Sequence, residues 1–203
     1  MVETMSNLGG ILNLDFSPED IKQAKSKLLN ILKAQSVFKG DYILSSGQKS
    51  DYYLDARLTT LSAEGLALIS YLVWNIMSPL LPQIQGIAGP SIGADPIVSG
   101  ICQFSFLAGH PLKAGLIRKE QKVHGRGRLV EGPLIKGEKV IILEDVITTG
   151  SSSLMAINSV RDHGCEINDL ICLILREKAG KELIEREANL KVHYIFEAAE
   201  LLT

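Results

Sequence analysis

At 203 residues, with 46% hydrophobic and 22% charged residues, the sequence has the make-up of one soluble globular domain able to bury a real core. A formal net charge of −2 argues against a nucleic-acid partner, and no stretch reaches the ~18 uninterrupted apolar residues that a membrane-spanning helix needs. Cys102, Cys165 and Cys172 are an odd number without CxxC pairing, and no basic region leads into a long apolar core at the N-terminus. Reduced thiols and a cytoplasmic location are the expectation.

Residues 1–16 carry little pattern. Ser17-Pro18-Glu19-Asp20 then supplies a helix cap, a first-turn proline and first-turn acids, and Ile21, Ala24, Leu28, Leu29 and Leu32 give that helix an apolar face. Residues 41–44 and 51–55 read as two short strands around a Ser/Gly-rich turn, a hairpin appended to the α/β core. Ser62 caps a second helix that Pro79 and Pro82 close. Short strands are predicted at 85–88, 113–117, 139–143 and 169–175, with a helix from about Pro96 to Ala108 and another ending at Gly164. This alternation predicts an α/β fold, a doubly wound parallel sheet with a small N-terminal hood subdomain. The chain is expected to be a single domain. Residues 17–60 would form the N-terminal helix and hood, 61–190 the core, and 191–203 a strand returning to the hood.

The most informative stretch is residues 140–153. Val140 to Leu143 is a continuous apolar run, the pattern of a strand covered on both faces. Two adjacent carboxylates, Glu144 and Asp145, come next, then Thr148-Thr149-Gly150-Ser151-Ser152-Ser153 and a helix carried by Leu154, Ile157 and Val160. A turn feeding a helix N-terminus offers unpaired N–H groups and the positive end of the helix dipole, which together bind phosphate. The carboxylates would repel phosphate but suit a neighbouring diol or a metal-bound water. A ligand carrying a phosphate beside a ribose diol satisfies both halves; the alternative is an ordinary βα turn with solvated acids. A second stretch, residues 118–128, places Arg118, Lys119, Lys122, Arg126 and Arg128 in an otherwise slightly acidic chain, with glycines that suit a mobile lid. A solvated surface loop is the plainer account of such a run. Next to a phosphate turn, it has the character needed to stabilise negative charge as it develops on a leaving group.

Glu144-Asp-Val-Ile-Thr-Thr-Gly-Ser-Ser resembles the phosphoribosyl-pyrophosphate (PRPP) signature of type I phosphoribosyltransferases. Arg118-Lys-Glu-x-Lys-x-His-Gly is similar to the catalytic loop of the orotate phosphoribosyltransferase family. Phe38-x-Gly-Asp-x-x-Leu-x-Ser-Gly-x-x-Ser-x-Tyr-Tyr resembles that family's hood. The resemblance runs from about Phe38 to Arg176. It implies transfer of ribose 5-phosphate from PRPP to N1 of orotate, giving orotidine 5′-monophosphate and pyrophosphate in pyrimidine biosynthesis. It also assigns roles by matching position. PRPP would be held by Arg118, Lys119, Lys122 and His124 from the loop, and by Glu144, Asp145, Val146, Ile147, Thr148, Thr149, Gly150, Ser151 and Ser152 from the signature. Lys122, His124 and Asp145 would carry catalysis. Orotate would meet Thr148 and Arg176, with Tyr52 and Tyr53 offering ring faces. Mg²⁺ would arrive bound to PRPP with no direct protein ligand, water-bridged at most to Asp145. A homodimer is implied, in which the 118–132 loop serves the neighbouring site. Two departures stand out: Ser45 occupies a place where many relatives carry a lysine and Ile92 one where some do, and Lys49 is a weak substitute. A purine phosphoribosyltransferase and a PRPP-sensing regulator are the rival readings. The first should lack the loop wording, and the second should show a basic face or a helix-turn-helix.

Overall fold

The computed structural model describes residues 16–43, 49–120 and 129–203. Helix α1 (Pro18–Gln35) begins as its sequence dictates: the Ser17 hydroxyl accepts from the Asp20 N–H at 3.1 Å, and Leu28 and Leu32 are fully buried. The hairpin strands are longer than predicted, β1 (Val37–Ile43) and β2 (Lys49–Leu54), and among the described residues they form a two-stranded sheet of their own. After a single turn, α2 (Arg57–Thr60), helix α3 (Ala63–Met77) starts where Ser62 accepts from the Gly65 N–H.

The core runs in the order β3 (Gly86–Pro90), α4 (Asp95–Leu107), β4 (Lys113–Ile117), β5 (Val130–Glu131), β6 (Val140–Ile147), α5 (Ser151–Asp162), β7 (Asp169–Leu175), α6 (Lys178–Ala188), β8 (Lys191–Glu197) and α7 (Ala198–Leu202). Among the described residues its sheet has the order β5-β4-β3-β6-β7-β8, parallel throughout except for the short β5. The chain starts at β3, steps outward to β4, then returns past β3 to β6 and continues the other way. That reversal puts a topological switch point between β3 and β6, beyond whose carboxyl ends a doubly wound sheet binds its ligand.

Strand alternation divides the core into two layers. Ile141 and Leu143 face one cluster with residues of α1, α3 and α4; Val140 and Ile142 face another with Ala156, Ile157 and Val160 of α5 and Ile184 of α6. Both faces being covered explains why β6 reads as an unbroken apolar run. Gly164, at φ 97°, lies directly after the C-cap of α5, as predicted.

One expectation is corrected. Residues 191–197 do not return to the hood as a strand. They pair in parallel with β7, from Asp169↔Lys191 to Leu175↔Glu197, and form the edge of the core sheet. The α6 crossover delivers them there, and α6 is a helix that the sequence pattern did not reveal. The C-terminus does meet the N-terminal piece, through helices: Lys25 of α1 approaches Glu200 of α7 at 3.7 Å and lies over the Phe196 ring.

Candidate active site

The strand predicted to stop at Leu143 runs on to Ile147, because Val146 and Ile147 pair with Ile174 and Leu175 of β7. Glu144 and Asp145 therefore sit within β6 rather than after it, and neighbouring strand residues point to opposite faces. Glu144 turns toward α5, is only 4% exposed, and accepts a 2.7 Å hydrogen bond from the Ser153 hydroxyl. Burial, reinforced by the adjacent Asp145 charge, pushes its carboxyl well above the usual range. Asp145 turns to the other face, against Gly93 in the β3–α4 connection. A Cβ built on Gly93 would run into the Asp145 carboxylate, so glycine lets that carboxylate keep its present place. Burial raises Asp145 too; the N–H of Val146, donating to Oδ1 at 2.9 Å, and the Arg57 charge oppose the rise.

After Ile147 the chain turns through Thr148 and Thr149 to Gly150, whose φ of 82° is the left-handed conformation that starts α5. No side chain caps this helix. The first-turn amides of Ser151 and Ser152 are left with exposed hydroxyl side chains about them, and the 3.4 Å contact from the Ser151 N–H to Thr149 Oγ1 is long. An uncapped helix start with several hydroxyl donors is built to take an anion.

Arg176 leaves the end of β7, and its N–H donates to the Ile147 carbonyl, which brings it beside the turn. Its guanidinium spans to the hood. Nη2 donates to Ser50 Oγ at 3.0 Å and to the Tyr52 carbonyl at 3.4 Å, and the group lies 4.3 Å from the Tyr52 ring centroid. A cleft of about 850 Å³ opens here, lined by Arg176, Glu177, Ser50, Tyr52 and Lys49 among others. Of the two tyrosines expected to face a base, Tyr52 has a ring face taken by Arg176. Tyr53 projects to the opposite side of β2 and packs against Tyr42 at 5.6 Å. A period of two prevents both from lining one cleft.

Arg118 lies at the end of β4 and pairs with Glu131 of β5 at 2.9 Å, while its N–H donates to the Leu129 carbonyl. These contacts tie together the two ends of the basic loop. Ser91, Ile92 and Asp95 line a second cleft with Arg118. Lys119 is exposed beside it. Lys122 and His124, expected to be catalytic, lie outside the described residues, as does Ser45.

Ser153 and Gly93 were missed in the sequence. Ser153 stands in the signature's serine run, but the need for it appears only once Glu144 is known to be buried. Gly93 opens the run Gly93-Ala94-Asp95-Pro96 ahead of a helix, which gives no indication of what approaches it. Among the described residues no group of three or more His, Cys, Asp or Glu side chains could hold a metal. A divalent ion carried in by a diphosphate needs only a carboxylate nearby, and Asp145 fits that requirement.

The chain was compared with known proteins. No protein-family model matches it. It is 40% identical over 168 residues to the orotate phosphoribosyltransferase of Synechocystis sp., covering 82% of this chain and 83% of that one. The chain belongs to the orotate phosphoribosyltransferase family. The Aquifex aeolicus member is 38% identical over 181 residues, 88% of this chain and 97% of its own. Among solved structures, Mycobacterium tuberculosis orotate phosphoribosyltransferase in complex with PRPP superposes with a TM-score of 0.74 at 29% identity, covering 89% of this chain and 99% of that one.

Proposed function

We propose that this protein transfers the 5-phosphoribosyl group of PRPP to orotate, producing orotidine 5′-monophosphate and pyrophosphate. N1 of orotate, giving up its proton, bonds to C1′ with inversion as the C1′–O bond to pyrophosphate breaks and its electron pair leaves with the diphosphate. The observation that carries the reading is the adjacency of an uncapped helix start, Asp145 and Arg176 at the carboxyl ends of two neighbouring strands, in a member of this family.

Each group has a role in this reading. The amides and hydroxyls of Thr148 to Ser152 take the 5′-phosphate. Asp145 accepts from the ribose hydroxyls and holds the sugar at the reacting distance, while Glu144 is held on the opposite face of β6 by Ser153. Arg176 reads the planar carboxylate of the base with the donors that the hood leaves over. Arg118, Lys119, Lys122 and His124 meet the diphosphate, whose charge grows as it leaves. Mg²⁺, entering with PRPP near Asp145, would neutralise part of that charge.

A homodimer with the 118–132 loop serving the neighbouring site belongs to the same reading. It is supported by exposed apolar side chains near the cleft, Leu58 (48%), Leu61 (71%) and Ile92 (67%), a surface that water would disfavour. No helix among the described residues is long and apolar enough to cross a membrane. A cytoplasmic location belongs to the same reading.

The test is the absorbance change of orotate on mixing with PRPP, Mg²⁺ and the protein, with uracil and hypoxanthine in parallel. Turnover of orotate alone is expected. Turnover of hypoxanthine instead, or of no base while PRPP still binds, would overturn the reading. Lys122→Ala should lower kcat strongly; a wild-type rate at saturating substrates would remove the loop from the mechanism.

A further inference from the structure

We infer that Ser50 is a positioning residue for orotate, acting through Arg176: it fixes the guanidinium in the orientation that meets the base. The inference rests on the function proposed above and extends it to the hood.

The geometry is a clamp between two parts of the chain 126 residues apart. Ser50 Oγ has three contacts. It donates to the Tyr52 carbonyl at 2.7 Å, accepts from the Tyr52 N–H at 3.3 Å, and accepts from Arg176 Nη2 at 3.0 Å. Its proton is committed to the carbonyl, which leaves the oxygen lone pairs toward the guanidinium. The Tyr52 carbonyl, already polarised by the Ser50 hydroxyl, accepts from the same Nη2 at 3.4 Å. The Tyr52 ring, half-buried against the core, closes the remaining side of the guanidinium at 4.3 Å.

This arrangement restricts what Arg176 can do. Both Nη2 hydrogens are engaged by the hood, while Nε and Nη1 have no protein hydrogen-bond partner among the described residues. An arginine at the end of a strand has several rotatable bonds and would otherwise sample many positions in a cleft of about 850 Å³. Holding one nitrogen on Ser50 and stacking the plane on Tyr52 leaves a defined set of donors for a planar carboxylate. It also gives Tyr52 a different part from the one its sequence position implied: a platform for the arginine rather than for the base. Ser50 and Tyr52 lie on the same face of β2, two residues apart, which is why one side chain and the next ring can serve a single guanidinium.

The experiment is steady-state kinetics of Ser50→Ala and Ser50→Thr against the wild type, varying orotate and PRPP separately, with a thermal melt of each. Ser50→Ala is expected to raise the orotate KM about tenfold, the loss of one charge-assisted hydrogen bond. Its kcat and PRPP KM should stay within about twofold. Ser50→Thr restores the hydroxyl on a side chain that strands accept, and should recover most of the orotate KM. An unchanged orotate KM in Ser50→Ala would overturn the inference. So would an equal loss in every parameter with a lowered melting point, which marks a role in hood folding only. Failure of the wild type to turn over orotate would instead bring down the functional reading, and this inference with it.

Discussion

Gly150→Ala and Gly137→Ala form a matched pair that tests how tightly the phosphate turn is built. The two glycines have nearly the same positive φ, 82° and 89°, so an alanine at either is strained in the left-handed region. That strain is roughly 1–2 kcal/mol, offset by about 0.4–1 kcal/mol from the stiffer unfolded chain, so Gly137→Ala should cost about 1 kcal/mol. Their surroundings differ. Nothing lies within 4 Å of a Cβ at Gly137, whereas one at Gly150 would stand 2.7 Å from the Gly180 carbonyl oxygen and 3.0 Å from Ile184 Cγ1. A backbone oxygen cannot rotate away, and α6 would have to shift, which adds about 1–3 kcal/mol. In a chain of this size each kcal/mol moves Tm by about 2–4 °C. Thermal melts should then place Gly137→Ala about 3 °C and Gly150→Ala about 9 °C below the wild type. The PRPP KM should rise only in the second, because only there does the turn move. If the two variants melt together and both keep the wild-type PRPP KM, the turn is not the rigid anion cradle described above.

Further predictions concern the two acids. Both carboxyls have folded pKa values raised above the unfolded ones, so their contribution is fully present below the ordinary carboxylate values of 3.8 and 4.5. It is lost as pH rises through the raised values. Glu144→Gln should remove most of that loss and stabilise the unliganded protein in alkaline urea melts while weakening PRPP binding; a wild-type stability profile would refute the burial argument. Ser153→Ala takes away a donor that favours ionised Glu144 and should cost about 1–3 kcal/mol, more at pH 8 than at pH 5. An equal loss at both pH values would show that the bond does not reach the charged form. Gly93→Ala should displace the Asp145 carboxylate and lower kcat/KM about 100-fold with little change in the melt, as misplacement of about 1 Å does. Wild-type kinetics would mean that Asp145 can move without consequence.

Local interactions are the ones that were legible in the chain. Ser17 and Ser62 announce their helices because a cap acts over three residues, and β6 is visible because both of its faces are covered. The signature turn is a continuous segment, so its order of strand, turn and helix could be read directly. Long-range pairing could not. The extension of β6 to Ile147 depends on Ile174 and Leu175, and the place of β8 depends on a helix whose Lys/Glu-rich wording resembles any solvated surface. The same holds at the site. The place of Arg176 at the end of β7 was legible, but its seating on Ser50 and Tyr52 depends on a contact across 126 residues, and the inward turn of Glu144 depends on the pleat.

The hood's isolation also bears on how the molecule breathes. Among the described residues β1 and β2 pair in a sheet of their own, and a two-stranded ribbon has little stability beyond what its packing on the core adds. Its amides should therefore exchange with deuterium through partial openings that leave the core intact, whereas those of β6 and β7 wait for global unfolding. The Arg176 clamp links the hood to the core, together with the packing of Val37, Tyr52 and Leu54. A ligand that completes the guanidinium's hydrogen bonds would slow exchange at Lys49 to Leu54 without touching their backbone, so protection of this strand could be read as site occupancy.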